Sequence, residues 1–200
     1  MTRPVLPAGE MGLRRAGVKR QARGRRAAMK YLEGPIDGVS GMRMLEAAAP
    51  APEWNASEWL NTREPLTLAS LKGKVVVLHA FQMLCPACVQ MATPQMQKLQ
   101  AMFEGGEVAV VGLHTVFEHH DAMTPVALKA FVHENRLTFP IGIDRHDGDA
   151  IPITMRAYGF EGTPSVVLID REGRLRFQGF GHQPDLGLGV LIGSLVAEGD

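Results

Sequence analysis

The sequence predicts a three-layer α/β sandwich with a mixed sheet, and three observations predict it. Val75 to Phe81 and Val108 to His114 are nearly continuous apolar runs rich in β-branched residues, the pattern of strands buried on both faces. Helix-period stretches alternate with these runs. The closing third then offers a strand from Ser165 to Ile169, turn residues Asp170 to Gly173, and an alternating stretch from Arg174 to Gln178, which together read as an antiparallel hairpin.

Two hundred residues, 46% apolar and 21% charged, suffice for one well-covered core. The 21 Lys and Arg balance the 21 Asp and Glu, so overall charge gives no reason to expect nucleic acid as a partner. The balance is uneven along the chain. Between Met1 and Lys30 nine basic residues face one acid, Glu10, so that piece carries about +8 and the remainder about −8. Residues 1–51, rich in Arg, Gly, Ala and Pro and without a sustained apolar period, are expected to be a disordered basic extension. Within it Met29, Met42 and Met44 are alternative starts. Residues 52–200 are expected to form the folded domain. No apolar stretch is long enough to span a bilayer, and no apolar segment of a secretory signal follows the basic start, so a cytoplasmic location is expected.

The folded part is expected to begin near Trp54 and Trp59, with Leu66 to Leu68 as a short edge strand and Lys72-Gly73-Lys74 as a turn. Between the first two buried strands, a helix is predicted from Pro86 to Phe103, stopped by Gly105-Gly106. Pro125 to Asn135 places Val126, Leu128, Phe131 and Val132 for one apolar face of the next helix. A short strand is expected over Phe139 to Ile143 and a short helix over Thr154 to Tyr158. From Asp185 to Val196, Leu188, Leu191, Ile192, Leu195 and Val196 follow a helical stripe, with Gly187, Gly189 and Gly193 counting against it.

Chemistry concentrates in Cys85-Pro86-Ala87-Cys88, the only two cysteines of the chain, set where a buried strand gives way to a helix. Two cysteines exclude a disulfide-stapled secreted fold. A sulfur at a helix N-terminus meets free backbone N–H groups and the positive end of the helix dipole, so Cys85 is expected to ionise more readily and to act as nucleophile. Pro86 suits the first helical position, and Cys88, one turn on and more enclosed, can close a small disulfide ring with Cys85. Two plainer readings compete: half of a zinc site, which lacks a second cysteine pair, and inert core thiols. Directly before the third buried strand, Gly162-Thr163-Pro164 offers a candidate cis peptide, with Thr163 presenting backbone toward the cysteines for a substrate.

Taken together, Val75 to Cys88, Pro94, Gly162-Thr163-Pro164 and the Asp170 to Gly173 hairpin resemble the thioredoxin-like redoxins, in particular the TlpA/ResA-type thiol-disulfide oxidoreductases that adjoin AhpC/TSA proteins. The resemblance covers about Pro52 to Val196. It implies a thioredoxin-like fold, Cys85 as nucleophile, Cys88 as resolving thiol and Pro164 as a cis-proline facing them, with Leu113 to Gly159 as an insertion relative to thioredoxin. It implies disulfide exchange with a protein or small-molecule substrate and recycling by a cellular thiol reductant, without a bound cofactor, metal or membrane span. Keeping the cell's redox balance and an antioxidant role go with it.

Three departures from the family pattern stand out. Leu84 replaces the usual Trp before the first cysteine, so the substrate-facing surface formed with Pro86 and Thr163 differs. His79 falls where thioredoxins place a buried acid that moves protons for the resolving cysteine, and a neutral imidazole could act as that base or could be a core histidine bonded to backbone. Pro94 lies one residue later than the usual helix proline, which predicts a bulge or a shifted kink. Peroxiredoxins resemble Pro-x-x-x-Thr-x-x-Cys at their peroxide site. Leu78 and Gln82 stand at those positions, leaving thiol-dependent peroxide reduction as the alternative activity and a metal- or partner-binding module as the non-enzymatic one. Glu118-His119-His120-Asp121, with His114 upstream, reads as a solvated loop ahead of a metal cluster. Met83, Met91, Met96 and Met102 read as core or as an adaptable docking surface.

Overall fold

The computed structural model describes residues 42–198, with side chains from residue 49 onward. Most of the basic extension, residues 1–41, lies outside the described residues. A seven-stranded mixed sheet runs in the order β1-β7-β6-β3-β4-β5-β2. Its strands are β1 (Met42–Pro50), β2 (Ala56–Leu60), β3 (Val75–Phe81), β4 (Val108–His114), β5 (Ile141–Asp144), β6 (Ser165–Ile169) and β7 (Arg174–Phe180). β3, β4 and β5 pair in parallel, β6 and β7 form the antiparallel hairpin that the sequence predicts, and β6 closes on β3 antiparallel.

The central strand β3 is buried at every residue, which explains an apolar run interrupted only by His79. Val76, Leu78 and Ala80 face one side, where Trp54, Met155, Tyr158 and Phe160 complete a core. His79 and Phe81 face the other. There His79 meets Thr93 of helix α1 (residues 86–102), and Phe81 packs 6.4 Å, centroid to centroid, from Phe131 of α2 (Pro125–Glu134). Helix α3 (Ile153–Tyr158) covers the first side. Helix α4 (Asp185–Ala197) is tied to α1 by the Gln95 amide, whose Nε2 donates to Gln183 O and Asp185 Oδ1. Helices on both faces of one sheet make the three layers.

Local chemistry accounts for most element ends. Thr124 caps α2 by accepting from the Ala127 amide at 3.2 Å, with Pro125 as the first helical residue. The hairpin turn is held by Asp170, whose Oδ1 accepts from the Glu172 and Arg174 amides, while Gly173 supplies the positive φ of 84°. The three glycines of α4 meet nothing within 4 Å of a notional Cβ, whereas Leu188, Leu191, Ile192 and Leu195 are buried, so tertiary packing outweighs their weak propensity.

The structure redraws the start of the domain. Residues 42–50, assigned from sequence to the extension, add β1 to the sheet by pairing antiparallel with β7. Leu66 to Leu68 do not form the expected edge strand. Leu66 and Leu68 instead pack against the core beside a 3₁₀ turn at Ala69–Leu71, and the edge is taken by β2, antiparallel to β5. The carboxylate of buried Asp144, at the end of β5, accepts from the Thr154 and Met155 amides and so anchors the start of α3.

Gly112 marks the tightest place in the parallel part of the sheet, because a Cβ there would come within 3.0 Å of Ile141 and Phe139 side chains and 3.3 Å of Phe81. Gly112→Ala is expected to destabilise the domain by about 1–3 kcal/mol, read as a shift of the urea midpoint at unchanged slope.

Candidate active site

Cys85 stands four residues beyond the end of β3, where the chain turns from strand into helix. Its amide donates to Gln82 O at 3.1 Å, and its carbonyl accepts from the Val89 amide at 3.0 Å, which makes Cys85 the N-cap of α1 with Pro86 as the first helical residue. Like other cap side chains, its sulfur receives an amide from the third helical residue: the Cys88 N–H points at Cys85 Sγ over 3.3 Å. The two cysteines are thus brought together by helix geometry alone. Both are free thiols, Cys85 half-buried and Cys88 fully enclosed. Burial first, and then the adjoining Cys85 thiol, push the Cys88 thiol up to about 12.

Helix α1 opens irregularly. Cys88–Ala92 forms a π-helical turn before the regular helix Thr93–Met102. Such a turn absorbs one extra residue, the irregularity that the displaced Pro94 predicts. Opposite the helix opening, the Thr163-Pro164 peptide is cis, as the sequence suggests, and Thr163 O lies 3.5 Å from Cys85 Sγ. Cys85, Cys88, Thr163 and Pro164 therefore converge. Leu84, 55% exposed, and exposed Pro86 flank the sulfur.

A groove of about 380 Å³ runs past Cys85. One wall carries Leu84 and Pro86, another Gly162, Thr163 and Phe180, and a third, from the loop after β4, carries Phe117, Glu118, His119 and Met123. The floor includes Gln82, a residue that sequence reasoning weighed only for the hydroxyl it lacks. Its buried side chain links two walls: Nε2 donates to Glu118 Oε1 at 3.2 Å and to Thr163 Oγ1 at 3.5 Å, while Oε1 accepts from the Phe117 amide at 3.2 Å. A polar side chain directly after a strand buried at every residue was the available signal, since a buried amide must find partners.

His79 lies beneath α1, stacked on Phe81 with a 7° interplanar angle, and its Nε2 is 3.3 Å from Thr93 Oγ1. Burial lowers its pKa to about 3. The low basicity favours a core histidine over a base for a thiol at about 12, although its partner is the Thr93 hydroxyl and not the backbone expected from sequence. His114 has a clear structural task, its Nε2 accepting from the Met83 amide at 3.3 Å and so holding the loop that leads to Cys85. Burial lowers it to about 4. His119, His120 and Asp121 are exposed, and among the described residues no group of three or more His, Cys, Asp or Glu is placed to hold a metal ion.

The fold and this site define a dithiol protein of thioredoxin-like architecture. Residues 46–186 match the Redoxin family, and the chain belongs to that family. Among solved structures, a thioredoxin-like superfamily protein superposes with a TM-score of 0.72 at 53% identity over 74% of this chain and 96% of that one. A thiol-disulfide isomerase from Corynebacterium glutamicum superposes with a TM-score of 0.71 at 49% identity, covering 76% of this chain and 97% of that one. Thiol-disulfide oxidoreductase ResA of Bacillus thuringiensis is 32% identical over 119 residues, 59% of this chain and 61% of ResA. Protein DipZ of Mycobacterium bovis is 29% identical over 145 residues, which is 71% of this chain but 20% of DipZ. The chain thus matches a fifth of one curated relative and about three fifths of the other.

Two outcomes follow from the burial of these groups. Reduced protein treated with iodoacetamide near neutral pH is expected to be alkylated at Cys85 and spared at Cys88, checked by peptide mass spectrometry, because only a thiolate reacts and Cys88 holds its proton to about 12. His79 and His114 have folded-state pKa values depressed below 6.5, so the unfolded chain binds the protons first. Stability is full above about pH 6.5 and falls as pH drops toward 4, by roughly 1.4 kcal/mol per unit for each imidazole. Urea titrations at stepped pH check this, and His79→Gln should flatten the slope.

Proposed function

We propose that this chain is a thiol-disulfide oxidoreductase in which Cys85 attacks and Cys88 resolves. The observation that carries the reading is the half-exposed Cys85 sulfur, which receives the Cys88 amide and faces Thr163 O beside a cis-proline, at the edge of an open groove. The Cys85 thiolate attacks one sulfur of a substrate disulfide. That S–S bond breaks, a new one forms to Cys85, and the other substrate sulfur leaves as a thiolate. Cys88 then gives up its proton and attacks Cys85 Sγ, closing the Cys85–Cys88 disulfide and releasing the second substrate thiol. Two electrons pass from the cysteine pair to the substrate, and an external dithiol returns them.

Residue roles follow from placement. Thr163 offers backbone to an extended substrate, Pro164 keeps that backbone turned toward Cys85, and Leu84 with Pro86 forms the apolar rim. His79 is assigned as a positioning residue that holds Thr93 and hence α1 over the sheet. Peroxide reduction is less well supported, since the Gln82 amide occupies the place of the orienting hydroxyl and is engaged with both groove walls. We place the exchange in the cytoplasm with a cellular thiol reductant, for which a reduction potential of about −270 mV is expected. Among the described residues no helix is long and apolar enough to cross a membrane.

Reduction of insulin disulfides by the pure protein, with dithiothreitol as electron source, tests the assignment. Cys85→Ser is expected to abolish the catalysed rate, and Cys88→Ser to accumulate a mixed disulfide at Cys85 visible by mass spectrometry. A Cys85→Ser protein that reduces insulin as fast as its parent would overturn it.

A further inference from the structure

The groove beside Cys85 has a chemical bias. Its lining is mixed, with Leu84, Pro86, Phe117, Met123 and Phe180 contributing apolar side chains; Glu118 is the only carboxylate among the lining residues and His119 beside it the only imidazole, and no Lys or Arg lines the groove. Glu118 is exposed but not free to roam, because Oε1 is held by the Gln82 amide, itself buried and anchored to the Phe117 amide and Thr163 hydroxyl. One carboxylate oxygen is thereby committed to the protein, and among the described residues the other has no hydrogen-bond or ion-pair partner. Across the groove Glu161, also exposed, adjoins Gly162, so the opposite wall contributes no cation from that position either.

A negative charge held on the wall of the groove that Cys85 also lines discriminates among disulfides by charge. Accepting the disulfide exchange argued above, the geometry points to Glu118 as a specificity-determining residue that selects disulfides carrying a cationic group close to the sulfur. Gln82 is its positioning residue. The exchange itself is unchanged; Glu118 acts on which disulfide reaches Cys85.

Three small symmetrical disulfides of similar size separate charge from chemistry: cystamine, which is cationic, hydroxyethyl disulfide, which is neutral, and 3,3′-dithiodipropionate, which is anionic. Rates are taken at pH 8, where an ordinary histidine is neutral, with dithiothreitol recycling and the uncatalysed rate subtracted. The readout is the ratio of kcat/KM for cystamine to that for dithiodipropionate. Glu118→Gln, which keeps an acceptor for Gln82, is expected to lower this ratio by about three- to fivefold, the range of an exposed ion pair, and high salt should shrink the wild-type ratio in the same direction. A role for Glu118 in structure alone would slow all three substrates together and leave the ratio intact. A ratio that stays within about 1.5-fold of the parent, less than a quarter of a kcal/mol, overturns the inference. Failure of the wild-type protein to reduce even hydroxyethyl disulfide would instead overturn the exchange reading, and this inference with it. Repeating the comparison on matched disulfide peptides with Lys or Glu beside the cysteine tells a polypeptide source of the cation from a small-molecule one by which set shows the larger fall.

Discussion

The site depends on one hydrogen bond pattern, the capping of α1 by Cys85. A helix begins with amides that have no partner inside the helix, and here the sulfur accepts one of them, that of Cys88. The same contact that starts the helix sets the two cysteines one turn apart and face to face. Spacing, helix initiation and chemistry are therefore a single constraint. Lengthening the Cys-x-x-Cys interval by a residue would rotate the second sulfur about 100° around the helix and dissolve all three.

What surrounds that contact makes the two sulfurs unequal. Cys88 faces inward, where loss of hydration raises its pKa, while Cys85 opens on a groove. In the proposed exchange this asymmetry suits Cys85 to meet substrate first and Cys88 to resolve the disulfide that forms within its reach. The groove walls come from four separate parts of the chain, and Gln82 ties the Phe117–Glu118 wall to Thr163. A buried amide with donors and an acceptor satisfied on two walls acts as a rigid bracket, because releasing any one bond leaves a polar group unpaired away from water.

Much of the fold was legible because burial on both faces writes continuous apolar strands. β3 and β4 sit in the centre of the sheet and read clearly; the β6–β7 hairpin read clearly because Asp170 and Gly173 are turn residues with a definite mechanism. The sheet edges were not legible. Residues 42–50 pair on one side only, along β7, so their Ala-rich run carries no alternating signature, and β2 is half-exposed along its length. Edge strands are chosen by the partner that offers hydrogen bonds, and the Leu66 to Leu68 segment, apolar enough to be a strand, found a core to pack on but no such partner.

Local sequence by itself determined the redox pair, because a Cys-Pro-x-Cys run between a buried strand and a helix already implies the cap, and with it the reach of one sulfur to the other. The cis-proline was likewise announced by Thr163-Pro164 before a strand. Tertiary structure alone decided what those sulfurs face. Gln82, Glu118 and Thr163 lie 36 and 81 residues from one another along the pairs they form, and only the parallel pairing of β3 with β4 and the return of β6 beside β3 bring them to one groove. The same holds for His79, whose imidazole could have been a base or a packing element; the Thr93 hydroxyl and the loss of water around the ring favour the second. Short-range geometry fixes bond-making distances within a helical turn, whereas burial and charge at a site are sums over distant segments that no local pattern records.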